Sequence, residues 1–139
     1  MSDGKVYDEN YFLHGRESGK SLYDNYRWLP SLTTHMAQRI AEHCGIHGGA
    51  RVLDFGCARG YMVKALRELG YQGFGIDVSK WALENCDTEV KQYLYSSFSG
   101  ETYDWIIAKD VLEHIEYVQR TIDDLTRCAR RAAQRDFHR

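Results

Sequence analysis

The chain has 139 residues, 18 of them basic and 20 acidic, for a formal net charge of −2. That length supports one domain with a real core, and the charge balance speaks against a general attraction to nucleic acid or to an acidic membrane. No stretch offers the ~18 consecutive apolar residues of a membrane helix, the N-terminal MSDGKVYDEN lacks an apolar signal core, and Cys44, Cys57, Cys86 and Cys128 form no CxxC pair. A cytoplasmic protein with free thiols is expected.

Residues 1–30 show no steady period and end at Pro30, the single proline. They read as an irregular arm with a short helix around residues 19–28. Tyr7, Tyr11, Phe12, Tyr23, Tyr26 and Trp28 crowd this arm, and aromatic rings with polar tips suit a partly buried cover. Leu32, Met36, Ile40 and Cys44 then recur every four residues, one face of a helix capped by Ser31 and ended by Gly45. Residues 52–55 are a continuous apolar run, as expected of a strand covered on both faces. The next helix carries Met62, Val63, Leu66 and Leu69 on its buried side and stops at Gly70.

Residues 73–76 form the second strand, and Ser79 caps a helix over 80–86. Residues 90–95 alternate apolar and polar side chains, a third strand. Residues 105–108 form a fourth strand, and 111–133 a long helix with Leu112, Ile115, Val118, Ile122, Leu125 and Cys128 facing inward. Strands alternating with helices predict an α/β fold with a doubly wound, mostly parallel sheet of about four strands in the order 3-2-1-4. No linker divides the chain, so one domain is expected over 1–139, with 1–30 as arm and 31–139 as core.

The chemistry concentrates in RVLDFGCARG (residues 51–60) and in Asp77, seventeen residues beyond Gly60. Gly56, Ala58 and Gly60 make a loop of little side-chain bulk that lets backbone approach a ligand. The helix that follows favours a negative group at its start. Asp54 ends the first strand and can attract an ammonium. Asp77 ends the second and can accept both hydroxyls of a ribose, with Val78 against an adenine face. A nicotinamide dinucleotide fits less well. Its pyrophosphate prefers G-x-G-x-x-G, whereas this loop is one residue shorter and follows an acid. His43, Cys44 and His47 invite a metal reading, but Gly45 interrupts the helix between them and a tetrahedral site needs four convergent ligands, so no metal is expected. The arginines after residue 120 read as a solvated helix face followed by a frayed end.

With VLDFGCARG and GFGIDVS, the segment YDWIIAKDVLEHI (residues 103–115) resembles the S-adenosylmethionine-dependent methyltransferase superfamily that includes quinone-biosynthesis enzymes. The YDENYF start is similar to the N-terminal arm of some members. The resemblance spans about residues 7–130 and implies a Rossmann-like fold, S-adenosylmethionine as cofactor and a small-molecule methyl acceptor. It implies that Asp54, Gly56, Cys57, Ala58 and Gly60 line the methionine end, that Asp77 takes the ribose and Val78 the adenine, and that Ala108, Lys109 and Asp110 sit beside the sulfonium. His114, one helical turn on from Asp110, is the candidate catalytic base. Two departures stand out. Ala58 replaces the family's usual glycine. After the third strand an acid is missing, so Ser96 or Ser97 is left to hold the adenine amine.

Nothing after Cys128 reads as a strand, whereas the family fold continues. The chain is therefore expected to be the N-terminal part of a longer enzyme, a natural truncation, or a domain whose open sheet edge is covered by a second copy or by the arm. The leading expectation is a methyltransferase, and the alternative is a non-catalytic cofactor-binding or interaction module with the same fold.

Overall fold

Val52, Leu53 and Phe55 are apolar because the strand they form is covered on both faces. In the computed structural model, which describes residues 4–19, 21, 26–109, 111 and 115–129, four strands form one sheet. They are β1 (Arg51–Phe55), β2 (Gln72–Ile76), β3 (Leu94–Tyr95) and β4 (Trp105–Ile107). All pairings are parallel and the order is β3-β2-β1-β4. At the centre, Asp54 stands level with Gly75 on one side and Ile107 on the other.

Successive side chains of a strand point to opposite faces, and β1 divides its residues accordingly. Val52 packs with Ala37, Ile40 and Ala41 of α3 (Pro30–Cys44) and with Ala65 and Leu66 of α4 (Tyr61–Glu68). Leu53 and Phe55 pack on the other face with Ile76, Tyr103, Ile115 and Leu125. Gly73 lets α4 lie close, since a Cβ there would stand 3.0 Å from the Val63 carbonyl oxygen and 3.2 Å from Leu66 Cβ.

Several boundaries differ from the sequence expectation, each for a physical reason. Pro30 takes the first helical position of α3 and Leu29 the N-cap, so Ser31 lies inside the helix; proline's fixed φ suits that position. Gly45 ends the helix in the left-handed region at φ 67°. In place of a strand over 90–95, residues Thr88–Lys91 form a helical turn and only Leu94–Tyr95 pair with β2. Lys64 of α4 reaches Asp87 at 2.7 Å and Glu89 at 2.8 Å and anchors that turn. The last helix runs over Val118–Cys128, starting seven residues later than expected. Val111 is not helical, and its side chain lies where Gly56 would carry a Cβ. Val118, expected inward, is exposed.

The arm folds as two short helices, α1 (Glu9–Leu13) and α2 (Gly15–Ser18). The described residues between 19 and 28 are not helical. At the other end, Ala129 forms a parallel bridge with Tyr103, whose amide donates to the Cys128 carbonyl at 2.8 Å, so the chain returns to the base of β4. Among the described residues no helix is long and apolar enough to cross a membrane.

Candidate functional site

A parallel sheet opens a crevice at the carboxyl ends of its strands, and here that crevice is a cavity of about 570 Å³. Asp54, Gly56, Cys57, Ala58, Asp77, Val78 and Lys109 all line it. The loop after β1 is lashed to the end of β2. The amides of Gly56 and Cys57 both donate to the Ile76 carbonyl, at 2.8 and 3.0 Å. The Ala58 amide donates to one carboxylate oxygen of Asp77 at 2.7 Å, and the Ser79 amide donates to the other at 2.8 Å. Gly56 and Ala58 hold positive φ, 86° and 51°, conformations glycine takes freely and alanine only with strain.

Burial sets the electrostatics. It pushes the Asp54 carboxyl up to about 7, helped by the nearby Asp77 charge and opposed by Lys109. Burial also raises Asp77, while the amides of Ser79 and Ala58 pull it back. The Cys57 thiol is pushed well above its usual range by burial and then by both carboxylates, which leaves it protonated and a poor nucleophile.

Not every expected residue reaches the cavity. Gly60 is buried at the start of α4 with φ 79°, and a Cβ there would stand 2.8 Å from Leu94 Cδ1, so its place is one of helix–strand packing. Ser96 is exposed and off the cavity wall. Asp110 and His114 lie outside the described residues.

The wall also holds residues of the arm, whose aromatic content suggested a cover. Tyr7, Tyr11, Phe12 and Tyr26 of the arm form one side. The Ser79 hydroxyl donates to the Tyr7 carbonyl, Phe12 stacks on Trp81 and Tyr26 on Tyr61. Arg59 clasps the arm from the loop. It donates to the Tyr26 carbonyl at 2.9 Å and to the Asn85 carbonyl at 2.8 Å, with its guanidinium over the rings of Trp81 and Tyr61. Leu32 and Met36, read from their spacing as core, line the cavity, as does Leu29 just before the helix. The spacing reports a shared helix face but not what that face meets.

The family described as methyltransferase domain matches residues 26–132. The chain belongs to that family. The methyltransferase domain is 28% identical over 110 residues to a ubiquinone biosynthesis O-methyltransferase of Rickettsia felis, covering 72% of the chain and 45% of that relative. The chain thus spans about half the length of the curated relatives it matches. Magnesium protoporphyrin IX methyltransferase from Synechocystis PCC 6803, solved with bound SAH, shares the fold at a TM-score of 0.64 and 18% identity, over 94% of this chain and 69% of that one. A SAM-dependent methyltransferase from Geobacter sulfurreducens in complex with S-adenosyl-L-homocysteine aligns at a TM-score of 0.54 and 20% identity, over 71% of this chain and 45% of that one.

Proposed function

We propose that the chain binds S-adenosylmethionine in this cavity and belongs to a methyltransferase acting on a small-molecule acceptor in the cytoplasm. The observation that carries the reading is the pair Asp54 and Asp77. They stand at the carboxyl ends of neighbouring parallel strands, on one cavity, with the Gly56–Cys57–Ala58 backbone between them. When bound, the cofactor supplies a methyl group on a sulfonium, open to in-line attack. Asp77 would accept the ribose hydroxyls and Val78 would cover an adenine face. Asp54, as a carboxylate, would hold the ammonium, and Lys109 its carboxylate. Cys57 and the two small residues beside it let backbone close on the methionine end. Asp110 beside the sulfonium and His114 as base keep the roles expected from the sequence, whereas Ser96, off the cavity wall, leaves the adenine amine to another group. Methyl transfer depends chiefly on alignment and proximity, and a base is needed only where the acceptor must lose a proton.

Isothermal calorimetry with S-adenosylhomocysteine (SAH) tests the reading. One site per chain is expected, and a folded sample that shows no binding at millimolar SAH overturns it. Asp77→Ala, checked as folded by circular dichroism, should weaken SAH by roughly 1–3 kcal/mol, the cost of a lost buried polar partner. A second reading is a cofactor-binding or interaction module without turnover. Methyl transfer to any acceptor by the full chain would eliminate it.

A further inference from the structure

The lining of the cavity is of two kinds. Its floor, at the strand ends, carries Asp54, Asp77 and Lys109. The lining also holds an apolar set, Leu29, Leu32 and Met36 at the N-terminal end of α3 together with Ile107, Val111 and Ile115. Further along α3, Ala37, Ile40 and Ala41 are buried against the sheet as an amphipathic helix requires. Leu29 and Leu32 are not: they are 41% and 58% exposed. Among the described residues nothing covers these two large leucines, and such a wall is the usual lining of a small-molecule site.

We infer that Leu29, Leu32 and Met36 form the acceptor wall of the cavity and select a small molecule with an apolar body. The inference rests on the cofactor reading of the polar floor. Its occupant follows from continuity. Ile107 and Val111 flank Lys109 in the chain and line the same cavity, so apolar and charged lining residues are neighbours, and a molecule held by the apolar set would lie beside the cofactor proposed for the floor. Arg27 also lines the cavity and is exposed, while none of the apolar set carries a charge. A sugar or a polyamine would desolvate hydroxyls or ammonium groups against leucine and methionine without partners, which is costly. An aromatic or alicyclic body would not.

The test uses 2-naphthol, an uncharged fluorescent probe, titrated into the full chain saturated with SAH. Saturable binding is expected, with affinity at least tenfold weaker in Leu32→Gln and in Leu29→Gln, while SAH affinity moves less than threefold. Both leucines are exposed, so either variant can stand in if the other fails to fold. Absence of saturable naphthol binding, or equal affinity in wild type and both variants, overturns the inference. Failure of SAH to bind instead strikes the cofactor reading. The same titration on the unliganded chain then decides the apolar wall by the same variants.

Discussion

Asp54 is ionised only at a cost. Burial raises its folded pKa to about 7 from the ordinary 3.8, so between those values the folded chain holds a proton that the unfolded chain has released. Stability from this group is complete below about pH 4 and is lost as pH rises through 7, by on the order of 4 kcal/mol at most. Asp77 is shifted in the same direction. The unliganded chain should therefore resist urea better at pH 5 than at pH 8, and Asp54→Asn should flatten that difference. Binding runs the other way: an ammonium needs the carboxylate, so SAH affinity should climb between pH 6 and 8 and lose the trend in Asp54→Asn. The positions of both acids were legible, because an apolar run ending in Asp is visible in any printout. Their altered acidity was not, since it comes from surroundings that only the folded chain assembles. The loop between them gives a paired prediction. Gly60→Ala should destabilise by about 2 kcal/mol, through a left-handed alanine and a methyl forced onto Leu94. Ala58→Gly should relieve strain and stabilise by up to about 1 kcal/mol. Urea midpoints report both.

Among the elements, β1, β2 and β4 were readable because buried parallel strands are short apolar runs bounded by polar or small residues. The third strand was not. Residues 90–95 alternate as a strand does, yet Lys64 binds Asp87 and Glu89 and holds residues 88–91 in a helical turn, a tertiary contact overriding a local pattern. Val111 was misread for a related reason: helical spacing includes it, but its side chain fills the space above Gly56. The arm's aromatic content suggested a cover, and four of its rings do line the cavity. What fastens it, Arg59, looked like one more charged loop residue. Charge-assisted hydrogen bonds are worth about 1.5–3 kcal/mol, though Arg59's bonds are partly exposed and worth less. Arg59→Ala should make chymotrypsin cut the arm near Tyr11 and Phe12 several-fold faster, and saturating SAH should slow the cut in both proteins.

The sheet order of the whole molecule was legible from the alternation of strands with crossover helices, since right-handed connections leave few topologies open. The cavity's apolar lining was not, because a stripe such as Leu32, Met36 and Ile40 reads the same whether it meets core or an open pocket. Ligand linkage offers a global check: SAH at a hundred times its dissociation constant should stabilise the fold by about 2.7 kcal/mol. This appears as a rise of several degrees in the melting temperature, smaller in Asp77→Ala at the same SAH concentration.

Both oxygens of Asp77 are steadied by main-chain amides, one from each of the two loops that meet there. The carboxylate therefore enters an encounter already aimed. The rotameric freedom that a loose side chain would surrender on meeting a guest has been given up during folding. Recognition at this corner should carry a small entropic penalty. Its selectivity should rest on whether a visiting diol matches lone pairs that cannot swing to meet it.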